Sequence, residues 1–422
     1  MPNYFILHID MNSYFASVEQ QANPLFRYKP VGVCAYLSPK GCIIASSKEA
    51  KKIGIKVGTL VEQAKQIDPQ VILVENEPAK YRATTSKIFK IFSDYTERIE
   101  PYSIDEAFLD LTGYIHSYQQ GEKLIKKLKT RIKNEVGEWL TCSAGLSWTR
   151  WLAKFASDIT QSDSYLTIDS LNKAEEIYKK VEMQEAWGIA WRMEKRLNNL
   201  GIYSLMDLKN YPVANLMQAF GKPGYYLWAN LNGIEIEGVR TQAEQPPKSI
   251  GHSYCIPKQE PDPQYLKAIL MKLCEKTGRR LRQSQLEAQV IWAGYYLKYG
   301  GGYFKHKKIP ERLYTNQEIF QAAWKIFTTK MPQTKVKMLG VSVCSLKPLS
   351  HQLNIFNQYK PVHLCQALDQ INSKFGEFTV YPGSMWGIKK QAPDRVGFRK
   401  TVKIEPKVEN IHYDKTESTI SG

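Results

Sequence analysis

The residues best suited to chemistry in this sequence are three carboxylates, Asp10, Asp105 and Glu106. Asp105 and Glu106 are adjacent within Tyr102-Ser103-Ile104-Asp105-Glu106-Ala107-Phe108-Leu109-Asp110-Leu111, a stretch that otherwise reads as strand. Successive side chains of a regular strand point to opposite faces, so neighbouring carboxylates converge only at a turn or a distorted strand end. The local pattern has two readings. Either the pair is a polar hairpin tip, or it binds divalent metal, because hard cations such as Mg²⁺ take carboxylate oxygens and are often held by one or two of them plus substrate phosphates. Asp10 ends the apolar run Tyr4–Ile9, which predicts a buried strand delivering a carboxylate at its C-terminal end. If that strand lies beside Leu109–Leu111, the three groups converge on two metal ions about 3.5–4 Å apart. Two such ions activate a hydroxyl and stabilise a leaving phosphate.

These groups need elements to position them. After Asp10 a helix begins at Ser13, its expected cap, and runs through Glu19. A strand over Val31–Tyr36, a turn at Ser38–Gly41, a strand over Cys42–Ala45 and helices over Ser47–Ile53 and Thr59–Gln66 form a small α+β module. A strand over Val71–Val74 and a helix over Tyr81–Tyr95 precede the carboxylate pair, across which a hairpin is expected. A Lys-rich helix over Glu122–Val136, a strand over Thr141–Leu146 and a helix over Trp148–Thr160 follow. This order predicts an antiparallel or mixed sheet backed by helices. From about residue 170 to 240 the chain reads as helical with glycine punctuation. There Trp187-Gly188-Ile189-Ala190 followed by Glu194–Leu200 reads as a helix-hairpin-helix, with Ala190 in place of one usual glycine. Such a motif grips backbone phosphates through amides at a helix start, so Gly188 and Ala190 are candidate DNA contacts. The other reading is an ordinary tight turn between core helices.

Thr241–Lys248, containing Gln245-Pro246-Pro247, has linker composition. Beyond it a helix over Pro263–Gln283 carries Arg279, Arg280 and Arg282, candidate contacts to a phosphate backbone. Strands over Ala288–Tyr299 and Gly302–Ile309, a helix over Gln317–Thr328 and a strand over Lys335–Leu346 complete a second, basic and aromatic unit. Residues from Lys400 onward lack periodicity and read as a tail.

The 422 residues carry 58 Lys and Arg against 41 Asp and Glu, a net charge of +17 that favours a polyanionic partner, nucleic acid first. No apolar run approaches membrane-spanning length, and the N-terminal stretch lacks a basic region, so neither a membrane span nor a signal peptide is expected. Seven scattered cysteines without a C-x-x-C spacing predict reduced thiols in a cytoplasm.

With these motifs in place, the sequence resembles the Y-family, or translesion, DNA polymerases, and within them the UmuC-like and DinB-like bacterial branches. The resemblance rests on Ile9–Glu19, Lys29-Pro30-Val31, Glu49–Gly54, Tyr102–Leu111, Gly145-Leu146-Ser147 and Leu152-Ala153-Lys154, and runs to about residue 400. It implies an α+β right-handed polymerase in several parts. These are a ferredoxin-like palm (1–25 and 72–165), small fingers (26–71), a helical thumb (166–240), an α/β little finger (246–350) and a clamp-binding motif with tail (351–422). It implies that Asp10, Asp105, Glu106 and the Met11 carbonyl hold two Mg²⁺ ions, for which Mn²⁺ can substitute. Phe15, which alone reads as a core aromatic, falls at the family's steric-gate position, and Tyr14 and Ser103 are expected to line the same pocket. The triphosphate contacts of the fingers and last palm helix fall on Lys48, Lys51 and Gln161, a weaker set than the family's Tyr, Arg and Lys, with Arg150 or Lys154 as supporting cations. Gln352, Leu353, Ile355 and Phe356, within His351–Phe356, resemble the bacterial sliding-clamp-binding pentapeptide. The expected partners are primer-template DNA, dNTPs and the clamp, for a monomer acting at the nucleoid. The rival reading is a catalytically weak scaffold that binds DNA and clamp and recruits another polymerase.

Overall fold

The computed structural model describes residues 4–241, 247–256, 261–349, 359–389 and 391–393. It forms two compact units, Met1–Gln245 and Pro246–Asp394.

In the first unit, β1 (Ile6–Met11) is followed by α1 (Tyr14–Ala22). Ser13 occupies the cap position, but in a left-handed conformation and without a capping hydrogen bond, so the cap expected from sequence is not formed by its side chain. Next comes a small three-stranded sheet of β2 (Val31–Cys34), β3 (Ile43–Ser46) and β4 (Ile72–Glu75). Two short helices, α2 (Lys48–Lys52) and α3 (Val61–Ile67), lie between β3 and β4. Then α4 (Pro78–Ser93) leads to the hairpin of β5 (Ile99–Pro101) and β6 (Glu106–Asp110). The turn of this hairpin is Tyr102–Asp105, so the pairing is not across Asp105-Glu106 as sequence alone suggested. Ile104 is apolar because it is buried in the turn, which is why the segment imitates a strand.

After α5 (Tyr118–Arg131) and a π-helical turn over Ile132–Val136 come β7 (Cys142–Ser147), α6 (Arg150–Ile159) and β8 (Tyr165–Thr167). The main sheet has the order β5-β6-β1-β7-β8, antiparallel except for β7 with β8. Leu7, Ile9, Ala107 and Leu109 face a core shared with α1, α4 and α5. Strand alternation therefore sends Ile6, His8, Asp10, Glu106 and Phe108 to the opposite face, which α6 partly covers. At Gly145 on β7 the helix approaches so closely that a Cβ would collide with the Ala153 carbonyl oxygen and the Ser157 amide. Helices α7 (Leu171–Tyr178), α8 (Trp191–Asn198), α9 (Leu205–Asn210), α10 (Val213–Phe220) and α11 (Lys222–Leu231) share a core with Trp151 and Phe155 of α6.

The second unit pairs β9 (Ser249–Cys255), β10 (Leu286–Leu297), β11 (Gly302–Leu313) and β12 (Val336–Cys344) in the order β11-β10-β12-β9, all antiparallel. A two-residue β13 (Lys347–Pro348) adds to the start of β10. Helices α12 (Pro263–Gln283) and α13 (Asn316–Thr329) cover one face. The helix expected over Pro263–Gln283 forms with those bounds, started by the Asp262 side chain and Pro263 at its first position. The strand β9 and a further helix, α14 (Tyr359–Phe375), were not anticipated. Phe378, Tyr381, Met385 and Ile388 pack on the same core, so this unit continues past residue 350.

Arg282, an expected DNA contact, faces inward. Arg282 is buried and makes a two-pronged ion pair with Asp369 of α14, at 2.6 and 2.9 Å, while also donating to Asn316. It is an internal tie between helices and is not displayed to DNA, because burying a guanidinium requires a full set of internal acceptors. Arg279 likewise donates to Glu377 and Ser373. Residues Gln352, Leu353, Ile355 and Phe356 lie outside the described residues.

Candidate active site

The β1–β6 register sets Asp10 directly opposite Glu106, with His8 opposite Phe108. Directly opposed side chains of an antiparallel pair share a face, with Cβ atoms roughly 5 Å apart. Asp105 would face the other way in a continued strand, but the turn redirects it. Its carbonyl accepts from the Met11 amide at 2.9 Å, and the Tyr102 and Ser103 amides both donate to the Glu106 carbonyl at 3.1 Å. Ser103 Oγ accepts from the Asp105 amide and sits in a short contact with Asp105 Oδ1. Thus one turn places all three expected carboxylates at the end of the β1–β6 pair.

The charges are unevenly compensated. Burial, then the negative charge of Asp105 and Glu106, pushes the Asp10 carboxyl up to about 8. Asp105 is also raised, by burial first. For Glu106 burial acts upward too, but the His8 contact and the Lys154 charge outweigh it and hold the group down at about 2. Lys154 Nζ lies 2.9 Å from Glu106 Oε2 and 3.2 Å from Asp158 Oδ1. Burial lowers His8 to about 4, so its ring is neutral at neutral pH, with Nδ1 2.6 Å from Ser157 Oγ. Among the described residues no group of three or more His, Cys, Asp or Glu side chains is arranged, as it stands, to hold a metal ion. The donor set nevertheless fits one. It consists of hard oxygens, and Asp10 and Asp105 are raised by burial and carboxylate crowding that a divalent cation would relieve.

Around these carboxylates the other expected residues divide. Phe15 is buried and stacked on Tyr81, with ring centroids 4.3 Å apart. Tyr14 is also buried, its hydroxyl donating to the Tyr81 carbonyl and hydrogen-bonded to Thr85, so it supports α1 from behind rather than lining an open pocket. Lys51 donates to Ser13 Oγ at 2.8 Å, joining α2 to the start of α1. Lys48 is exposed at the start of α2, and Gln161 is exposed after α6. Arg150, expected as a supporting cation for triphosphate, is buried in an ion pair with Glu100. Gly188 adopts φ 103° in the turn before α8, and the Ala190 carbonyl accepts the amides of Met193 and Glu194. The helix before this turn is reduced to a 3-10 turn at Met183–Glu185.

Sequence reasoning missed three supporting residues. Asn12 accepts from Thr141 and the Asp163 amide and donates to Ser143, tying the end of β1 to β7 and to the turn before β8. Tyr81 backs Phe15 and is itself held by Glu19 at 2.7 Å. His8 lies within an apolar run, and the alternation that points it toward Asp10's side was the available signal.

Residues 9–158 match the family model described as impB/mucB/samB family, and residues 247–355 match that family's C-terminal domain. The chain belongs to the impB/mucB/samB family, the Y-family DNA polymerases. A DNA polymerase IV from Pelotomaculum thermopropionicum is 32% identical over 389 residues, covering 89% of this chain and 94% of that protein. DNA polymerase IV 2 of Bacillus subtilis is 27% identical over 405 residues, covering 94% and 98%. A solved Y-family polymerase chimera shares the fold with a TM-score of 0.73 at 24% identity, over 82% of this chain and 99% of its own. Membership in the Y-family makes this chain a DNA-directed DNA polymerase and implies dependence on divalent metal. Among the described residues no helix is long and apolar enough to cross a membrane.

Proposed function

We propose that the chain extends a primer with deoxynucleoside triphosphates under template direction and continues across damaged template, with Asp10, Asp105 and Glu106 as the catalytic carboxylates. The observation that carries this reading is the register of Asp10 against Glu106 beside a turn bearing Asp105, within a Y-family chain. Asp10, Asp105, Glu106 and the Met11 carbonyl would hold Mg²⁺ or Mn²⁺, two ions by family analogy, which would orient the primer hydroxyl and neutralise charge on the leaving pyrophosphate. Ser103 restrains Asp105, and Lys154 balances Glu106 from the opposite side.

The five-stranded sheet is read as the palm, the β2–β4 module as the fingers, α7–α11 as the thumb and the second unit as the little finger. Phe15, held in place by Tyr81, is read as the gate against a 2′-hydroxyl. Lys48 and Lys51 are read as the fingers' cations for triphosphate, with Lys51 near the α1 start through Ser13. The Gly188–Ala190 turn is read as a backbone-phosphate contact. Lys305, Lys307 and Lys308 on β11 are exposed, and the stacked Trp292–Phe304 pair lies on the sheet face opposite Ile291 and Tyr295, features suited to nucleic acid. Gln352–Phe356 is read as a sliding-clamp anchor. Family membership and the three retained carboxylates disfavour the scaffold reading.

Primer extension with Mg²⁺, comparing the intact chain with Asp105→Ala, tests the assignment. Extension by the intact chain and a loss of about 10³-fold or more in the variant are expected, as for removal of groups that stabilise a transition state. Extension unaffected by the substitution would refute the site.

A further inference from the structure

The hairpin that carries Asp105 and Glu106 is weakly held by its own ladder. Strand β5 has only three residues, forms the edge of the sheet and ends in Pro101, which has no amide to donate. From outside, β6 pairs with β1, the Met11 amide and the Thr85 hydroxyl donate to the Asp105 and Ile104 carbonyls, and the Arg240 amide donates to Glu100 Oε2. One guanidinium reaches both strands of the hairpin through its side chain. Arg150, the first residue of α6, donates from Nε and Nη2 to the two oxygens of Glu100 on β5 at 2.9 and 2.8 Å. The same guanidinium lies over the ring of Phe108 on β6, 4.1 Å from its centroid. Glu100 and Phe108 are cross-strand partners, so Arg150 covers both strands of the hairpin at one rung. Tyr102 in the turn and Trp187 before Gly188 stand 5.4 and 5.2 Å from it. One helical turn further along α6, Lys154 contacts Glu106 at the turn end of β6.

We propose that Arg150 is a positioning residue for nucleotidyl transfer, fixing the β5–β6 hairpin against α6 through Glu100 and Phe108 so that Asp105 and Glu106 are held in the reactive arrangement. This rests on the assignment of those two carboxylates made above. Only an Arg side chain meets both demands: its flat face stacks on the aromatic ring while its edge presents two parallel donors to a carboxylate. A buried ion pair contributes little to stability compared with apolar residues of similar size, so its role here is geometric.

That distinction sets the test. Arg150→Lys keeps the charge and loses the fork, while the double substitution Arg150→Met with Glu100→Leu replaces the pair by apolar volume. Single-turnover incorporation should fall about 100-fold in both, the scale of a misplacement near 1 Å. The KM for dNTP and the Kd for primer-template should stay within about twofold, the pattern of an interaction acting on the chemical step. The double variant should keep a melting temperature close to that of the intact chain, which a merely structural role would not allow alongside the rate loss. Hydrogen exchange supplies a readout independent of activity: amides of residues 106–108 should exchange at least about tenfold faster in both variants. A folded variant with unchanged turnover, or unchanged exchange in residues 106–108, overturns the proposal. If the double variant does not fold, Arg150→Lys decides alone. If the intact chain extends no primer, the polymerase reading fails, and the exchange measurement still decides whether Arg150 clamps the hairpin.

Discussion

Asp10 is the most strained of the carboxylates electrostatically, and its burial predicts a pH dependence. An acid raised from 3.8 to about 8 takes up a proton on folding, so between those values the fold loses stability as pH rises, and the loss is complete above about 8. Asp10→Asn mimics the protonated form. In metal-free buffer at pH 8 it should melt higher than the intact chain, by roughly 2–4 °C for each kcal/mol relieved, with the gap closing toward pH 4. Differential scanning calorimetry across that range checks it, and adding Mg²⁺ should stabilise the intact chain more than the variant. Equal melting temperatures at pH 8 would show that Asp10 is better solvated than its surroundings indicate. At this scale the sequence was informative about residue type and poor on partners. The pairing of Asp10 with Glu106 follows from strand alternation, whereas no local pattern in α12 or α14 points to the pairing of Arg282 with Asp369. A helix bearing three arginines looks identical whether they face solvent or a buried carboxylate.

At the scale of elements, legibility depended on whether a segment's local signals agreed. The Asp262 cap, Pro263 and the apolar spacing after them all point to one helix, and its bounds were readable. The hairpin carrying Asp105 and Glu106 was misplaced because Tyr102-Ser103-Ile104 combines strand-like residues with a turn that buries Ile104. Helix α14 escaped notice because its reason for forming is tertiary: it is tied to α12 by the Arg282 pair. Removing one partner of a buried pair leaves the other charge uncompensated, so Asp369→Ala should destabilise the second unit by about 3 kcal/mol. Urea unfolding monitored by the fluorescence of Trp292 and Trp324, with the other tryptophans substituted by Phe, would measure this. A loss below about 1 kcal/mol would mean that water reaches Arg282 in the variant.

At the scale of the whole molecule, the parts differ in how much protein they can bring to bear on a nascent base pair. The β2–β4 module consists of three four-residue strands and two short helices around a core that includes Ile43, Val61 and Ala64. Read as the fingers, so small a module would leave little closing motion to add selectivity beyond what fit alone supplies. Single-turnover comparison of correct and incorrect nucleotides should give discrimination on the order of 10²-fold, the range that binding without an induced-fit step reaches. Discrimination like that of a replicative polymerase would show that selectivity comes from elsewhere in the chain.

The contact at Gly145 carries a consequence for how this centre tolerates change. Helix α6 bears both Arg150 and Lys154, and it rests on the bare backbone of β7 where any side chain would strike the Ala153 carbonyl. A residue one carbon larger there would act as a wedge, lifting both cations from the hairpin in a single movement. A position with no functional group thus sets how closely α6 can approach the candidate site, and its margin for error is the width of one methyl.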